Sequence, residues 1–143
     1  VLFRSVEDAV AHGARLLCGG RLPAGAGFYY PATVLENVPP AARLYREEAF
    51  GPVASLYRVD NEADAVRVAN DTPYGLGATI YSADDDRAAR LAARLEVGSV
   101  FINRHTSSDL RLPFGGVKDS GYGRELSEFG LYEFVNVKTF WQR

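Results

Sequence analysis

The clearest periodic pattern in the chain follows Asp84. Four apolar residues recur at the i, i+3, i+4 and i+7 spacing of a single helix face, namely Ala88, Leu91, Ala92 and Leu95. Ser82 or Asp84 can cap this helix, and the acidic residues of its first turn suit the positive end of the helix dipole. Gly98 ends it. The pattern predicts an amphipathic helix with one buried face.

Apolar runs of strand length alternate with helical segments elsewhere. A short helix is predicted over Val6 to His12, and Asn61 is expected to cap another, with Asp64 three residues later. Extended structure is predicted where β-branched, aromatic or apolar residues cluster: Ala14 to Cys18, Phe28 to Val38, Val53 to Val59, Leu76 to Tyr81 and Ser99 to Asn103. The alternation of strand and helix predicts an α/β fold built on a parallel sheet.

Three segments fall outside this alternation. Residues 1–5 join abruptly onto the next segment and are read as a non-native scar, outside the fold. The long stretch from Arg104 to Arg124 is rich in glycine and polar residues, and a loop of this length in a compact domain is usually functional. A helical turn over Glu125 to Phe129 comes after it. Residues 133–143 alternate in polarity, which predicts a terminal strand whose unpaired edge invites another chain.

Composition narrows the class of protein. The chain has 143 residues, 47% of them hydrophobic and 24% charged, with a formal net charge of -2. These values are typical of a soluble globular protein and offer no basic face to nucleic acid. No apolar run approaches the roughly 20 residues of a membrane-spanning helix, and no secretory signal is evident, so we expect a cytoplasmic protein without membrane partners.

The single cysteine offers little chemistry. Cys18 and His12 could form a thiol and base pair, but Cys18 stands in an apolar run with no cation placed to lower its pKa, which favours a buried structural role. His12 and His105 lack further ligands at metal spacing, and we expect no metal site. Two Gly-x-Gly segments, beginning at Gly75 and Gly121, lack the third glycine of a dinucleotide fingerprint and indicate turns instead.

A carboxylate and an aromatic ring stand together near a predicted strand entrance. Glu47 and Glu48 precede Phe50, and Gly51-Pro52 then makes a tight turn. Such a carboxylate can accept hydrogen bonds from ribose hydroxyls, as acidic residues do in other dinucleotide sites. Two adjacent glutamates are, however, more often solvated surface. The pattern alone leaves both interpretations open.

Four segments in order give the chain a family resemblance. They are Gly13 to Gly20, Glu47 to Pro52, Ala69 to Leu76 and Pro113 to Glu125. Together they resemble the aldehyde dehydrogenases, from about Glu7 to the end of the chain. The resemblance implies that residues 6–132 are part of the second half of a catalytic domain and that residues 133–143 form an oligomerisation strand in a homodimer or homotetramer.

The resemblance also implies roles for individual residues. Glu48 would bind the nicotinamide ribose of NAD or NADP, and Phe50 would lie against the nicotinamide. Phe114 would form part of the wall of an aldehyde tunnel. Ser108 falls where succinate-semialdehyde dehydrogenases place a serine that helps hold the substrate carboxylate, and Leu131 to Trp141 also resembles that subgroup. The substrate would be a small aldehyde, oxidised to a carboxylic acid.

The resemblance assigns no catalytic residue to this chain. The nucleophilic cysteine and the glutamate base of the family are expected upstream of Val1, and Cys18 matches a different, structural cysteine. The chain is therefore expected to be an inactive fragment. Two alternatives remain open: an assembly module without catalysis that acts through the terminal strand, and a small enzyme that uses Cys18. The sequence leaves the choice between NAD and NADP, and the exact aldehyde, undecided.

Overall fold

The computed structural model describes residues 2–143, which form two compact units, one up to Asp60 and one from Asn61 onward. The first unit contains two helices and three strands in the order α1 (Leu2–Ala11), β1 (Arg15–Cys18), β2 (Thr33–Glu36), α2 (Arg43–Arg46) and β3 (Val53–Leu56). Strand β2 lies centrally, antiparallel to β1 and parallel to β3. The predicted strands are confirmed here as shorter segments.

The core of the first unit lies between α1 and the sheet. Val6 and Ala9 of the helix are buried against Leu35 of β2, together with Val38 and Ala42 from the segment after β2. These helix residues are three apart in α1, so they share a helix face. Burial of this apolar face explains why a helix of only ten residues is stable here.

Two predictions for the first unit are wrong in detail. Helix α1 begins at Leu2 rather than Val6, and Ser5 is buried within it, so residues 2–5 cannot be left out of the fold. Strand β1 is exposed along its length, and Cys18 is exposed with it. Strand β1 lies at the edge of its sheet among the described strands, and none of its residues belongs to the core cluster around Leu35 of β2. An apolar sequence does not reveal which strand the core will cover.

The second unit contains three helices and four strands. They occur in the order α3 (Glu62–Asn70), β4 (Tyr74–Gly75), β5 (Gly77–Ile80), α4 (Asp85–Ala92), β6 (Ser99–Ile102), β7 (Val117–Lys118) and α5 (Ser127–Tyr132). Strands β5 and β6 are parallel and are connected through α4, while β4 pairs antiparallel with β7. The β5-α4-β6 unit is the parallel crossover that the alternating pattern predicted.

Both predicted helix caps are present. The Asn61 side chain accepts a hydrogen bond from the Asp64 amide at 2.9 Å, and the Asp84 side chain accepts one from the Arg87 amide at 2.8 Å. Each bond satisfies an amide that would otherwise have no partner within its helix. On α4 the predicted inward residue Ala88 is fully buried. Helix α5 begins later than predicted and passes through Gly130 instead of ending there.

The predicted terminal strand is not formed. Residues 133–143 contain no strand, and within the described chain no other strand pairs with them. Their side chains are exposed, Trp141 at 86%. An extended segment gains its backbone hydrogen bonds from a neighbouring strand, and a single copy of this chain supplies none here. The oligomerisation role of the segment therefore stays a prediction.

Among residues 2–143, no helix has both the length and the apolar character needed to cross a bilayer.

The core of the first unit predicts a sharp contrast between two leucines. Leu35 is 0% exposed and Leu22 is 57% exposed. We expect Leu35→Ala to lower the free energy of unfolding by about 2–5 kcal/mol, because it removes buried apolar contacts and leaves a cavity. The matched change Leu22→Ala should alter it by no more than about 0.5 kcal/mol. Urea denaturation followed by circular dichroism measures both values, and equal losses would contradict the assigned core.

Candidate functional site

Strand β6 and the loop after it line a cavity in the second unit. Ser99 and Phe101 are two residues apart on β6, so their side chains emerge on the same face of the strand. Across the parallel ladder Gly77 pairs with Ser99. A Cβ on Gly77 would lie 3.1 Å from Ser99 Oγ and 3.6 Å from Thr106 Cγ2, so a side chain there would intrude on the cavity. The loop then returns over this space through Thr106 and its successors.

The cavity has two lobes of about 440 and 360 Å³. Both are lined by Ser99, Phe101, Ser107, Ser108 and Phe114. The first lobe adds Leu76, Gly77 and Thr106, and the second adds Arg104, Asp109 and Leu112 among others. A volume of this size accommodates a small molecule. The two residues that the sequence assigned to the substrate, Ser108 and Phe114, thus line the same cavity.

The backbone around Phe114 fixes its place in the cavity wall. Phe114 and Glu125 exchange two backbone hydrogen bonds, of 2.8 and 2.6 Å. The next residue, Gly115, lies so close to Gly98 that a Cβ atom on Gly98 would collide with the Gly115 carbonyl oxygen. Only glycine at position 98 permits this approach of the two chain segments. The ring of Phe114 is thereby held beside β6.

The glycine-rich segment from Gly115 to Glu125 folds compactly on itself. A Cβ on Gly115 would lie 2.6 Å from the carbonyl oxygen of Gly123, and Arg124 Nη1 donates to the carbonyl oxygens of Gly116 and Gly123 at 2.9 and 2.7 Å. Gly121 and Gly123 both have positive φ, of 121° and 78°. The predicted turn at Gly121 is confirmed. Gly115 permits close packing, whereas Gly121 and Gly123 permit a backbone with positive φ. The segment positions Phe114.

Two neighbouring carboxylates in the first unit have different surroundings. Glu47 accepts hydrogen bonds from Arg43 Nε and Nη2 at 3.1 and 2.8 Å, and these bonds lower the pKa of the Glu47 carboxyl below its ordinary value. Among the described residues, no side chain is hydrogen-bonded or ion-paired to Glu48, which is exposed just beyond α2. Phe50 lies two residues on and is 87% exposed. Of the two glutamates, Glu48 is the one left free to bind another group.

Sequence reasoning missed part of this arrangement. Arg104, Thr106 and Ser107 line the cavity but were not predicted as site residues. Their position directly after the carboxyl end of β6 was the available signal, because ligands of parallel α/β sheets bind beyond these strand ends. Glu48 and Phe50 belong to the first unit and Ser108 and Phe114 to the second. In the part of the chain that the structure describes, no three His, Cys, Asp or Glu side chains gather as a metal site would require.

Comparison with known proteins agrees with the family resemblance. The sequence model of the aldehyde dehydrogenase family matches residues 2–140. Succinate semialdehyde dehydrogenase [NAD(P)+] Sad of Escherichia coli strain K12 is 54% identical over 141 residues, which are 99% of this chain and 30% of that protein. The chain thus spans about a third of the length of the curated relatives that it matches.

Solved structures lead to the same family. Succinic semialdehyde dehydrogenase from Streptococcus pyogenes, in complex with NADP+, superposes with a TM-score of 0.90 at 43% identity, over 94% of this chain and 30% of that one. Betaine aldehyde dehydrogenase from Staphylococcus aureus, in complex with NAD+, superposes with a TM-score of 0.86 at 36% identity, over 93% and 27%. The family match and the α/β fold together settle the assignment: this chain belongs to the aldehyde dehydrogenase family.

Proposed function

We propose that this chain is the carboxy-terminal part of the catalytic domain of an NAD(P)-dependent aldehyde dehydrogenase that oxidises succinate semialdehyde to the corresponding dicarboxylic acid. The observation that carries the proposal is the cavity beside β6, which Ser108 and Phe114 both line. The relatives named for succinate semialdehyde, at about half identity over nearly the whole chain, support the choice of substrate.

The cavity suits a short aldehyde with a polar far end. Phe101, Leu112 and Phe114 offer apolar surface to a methylene chain. The hydroxyl groups of Ser107 and Ser108 can donate hydrogen bonds to a carboxylate. The arrangement combines an apolar wall with convergent polar groups, as small-molecule sites usually do.

The cofactor assignment depends on Glu48 and Phe50. An exposed carboxylate without a side-chain partner can accept hydrogen bonds from both hydroxyls of a ribose, and an exposed aromatic ring offers a flat surface to a nicotinamide. These two groups therefore fit NAD or NADP, which accepts the hydride from the aldehyde when bound. In this proposal Glu48 orients the cofactor and Phe50 packs against it. The nucleophile and the base come from other parts of the parent enzyme, and the chain alone is inactive.

The proposal is tested with the full-length enzyme and succinate semialdehyde. We expect the full-length enzyme to reduce NAD or NADP at a rate that rises with succinate semialdehyde concentration, followed by absorbance at 340 nm. The 143-residue chain at the same concentration should give no absorbance change, because the proposal places the nucleophile elsewhere. A full-length enzyme inactive with every aldehyde would sink the proposal, and activity of the short chain would contradict the placement of the nucleophile.

The contrast between the two glutamates gives a second test. Glu48→Gln in the full-length enzyme should lower kcat by about 10- to 100-fold, because a weaker acceptor lets the cofactor shift from the geometry of hydride transfer. The matched change Glu47→Gln should alter kcat less than about twofold, since Arg43 already holds that carboxylate. Steady-state kinetics with thermal unfolding as a fold control separates the two. Equal effects would remove Glu48 from the cofactor site.

We further propose that the terminal segment, residues 133–143, joins copies of the full-length enzyme into an oligomer. In an extended conformation Val135, Val137 and Trp141 would share one side of the segment, and all three are exposed in the single chain. Apolar side chains exposed in sequence indicate a surface that another chain covers. Pairing of the segment with a neighbouring strand would bury them and satisfy the backbone.

A lysine introduced on either side of this segment tests which side is buried in the oligomer. Val137 is 78% exposed and apolar, whereas Asn136 on the opposite side is already polar. We expect Val137→Lys in the full-length enzyme to shift sedimentation velocity profiles toward smaller species, because burying the new ammonium group is costly. Asn136→Lys adds the same charge and should leave the profile unchanged. An unchanged profile for Val137→Lys would place the interface elsewhere.

A further inference from the structure

The second lobe of the cavity contains a guanidinium group that the proposed function leaves without a role. Arg104 follows β6 directly and lines this lobe beside Ser107 and Ser108. Arg104 Nη2 donates to Ser107 Oγ at 3.1 Å, and its Cζ atom lies 5.8 Å from the centre of the Phe101 ring. These two contacts hold the charged end of the side chain beside the cavity.

The preceding residue, Asn103, holds the backbone at Arg104 in place through its own conformation and hydrogen bonds. Asn103 has a φ of 55°, and its side chain bonds the backbone of Ser82 twice: Oδ1 accepts from the Ser82 amide at 2.9 Å and Nδ2 donates to the Ser82 carbonyl at 2.7 Å. Thr79 Oγ1 also donates to the Arg104 carbonyl at 3.3 Å. The backbone of Arg104 is thus anchored to the strand ends.

Asp109, the acidic residue that lines this lobe with Arg104, is already hydrogen-bonded to another arginine. Asp109 accepts from Arg111 Nε at 2.9 Å and from Arg111 Nη2 at 2.6 Å, and these bonds hold the pKa of the Asp109 carboxyl well below its usual range. Arg104 contributes only a smaller charge interaction with the same carboxylate. Within residues 2–143 Arg104 forms no ion pair. Two arginines share one carboxylate, and the positive charge of Arg104 is left largely uncompensated at the lobe.

We propose that Arg104 is a specificity-determining residue, which binds the carboxylate at the far end of an aldehyde substrate together with the hydroxyls of Ser107 and Ser108. The inference rests on the proposed function, since it names the group that selects the substrate of the same cavity. A guanidinium carries five donors, and one bond to Ser107 leaves the others for a carboxylate. The apolar wall accommodates the carbon chain between carboxylate and aldehyde.

The test compares a charged and an uncharged aldehyde of equal length in the full-length enzyme. Arg104→Gln should lower kcat/KM for succinate semialdehyde about 10- to 100-fold, mainly through KM, because it removes a charged hydrogen bond. The kcat/KM for butanal, which has no carboxylate, should change less than about twofold. Arg104→Lys should restore part of the loss. Succinate, used as a dead-end ligand, should bind Arg104→Gln more weakly in calorimetry by a similar factor.

Arg90→Gln is the control, because it removes the same charge from an exposed position on α4 of the same unit. Arg90 does not line the cavity, so its loss should leave the ratio of the two kcat/KM values within about twofold of the unaltered enzyme. Equal effects of Arg104→Gln on both aldehydes, or no effect on either, would overturn the role of Arg104. If the unaltered enzyme oxidised butanal but not succinate semialdehyde, the substrate in the proposed function would fail. Inactivity with both aldehydes would refute the proposed function itself, and this inference with it.

Discussion

The close approach of Gly98 to Gly115 is the constraint on which the second unit depends. The residue just before β6 meets the glycine-rich segment at this point, with no room for a side chain between them. The amide of Gly98 also donates to the Gly75 carbonyl at 3.0 Å, which joins the turn to β4. Gly98 thus joins β4, the turn before β6 and the glycine-rich segment. Phe114 stands one residue before Gly115, so the same contact holds its ring in the cavity wall.

In each unit an arginine pairs with an acidic residue close to a proposed binding residue. Arg43 engages Glu47 in the first unit, and Arg111 engages Asp109 in the second. Such exposed pairs add little to stability because water and salt screen them. Within residues 2–143 these pairs also leave a nearby charged residue without an ion-pair partner, Glu48 beside Glu47 in the first unit and Arg104 beside Asp109 in the second. The proposed cofactor and substrate contacts both rely on these residual charges.

The local elements were largely predictable from sequence. The helices that begin after Asn61 and Asp84 have strong signals, because a cap residue, an acidic first turn and an apolar face coincide. The parallel pairing of β5 with β6 follows from the helix between them. Boundaries were less predictable. Helix α1 begins at Leu2 because Ser5 and Val6 pack inward, a consequence of tertiary contact and not of the local sequence.

The sequence determined the local features of this protein, and the tertiary structure decided which residues are buried and which segments pair. The sequence alone determined the family, the alternation of strands and helices, the caps, and four site candidates: Glu48, Phe50, Ser108 and Phe114. These depend on neighbours along the chain or on residue order. Only the tertiary structure decided that Cys18 lies on an exposed edge, that residues 133–143 find no partner in one chain, and that Arg104 reaches the cavity. Each of these depends on which distant segments come together in space, and the local pattern of residues does not specify that.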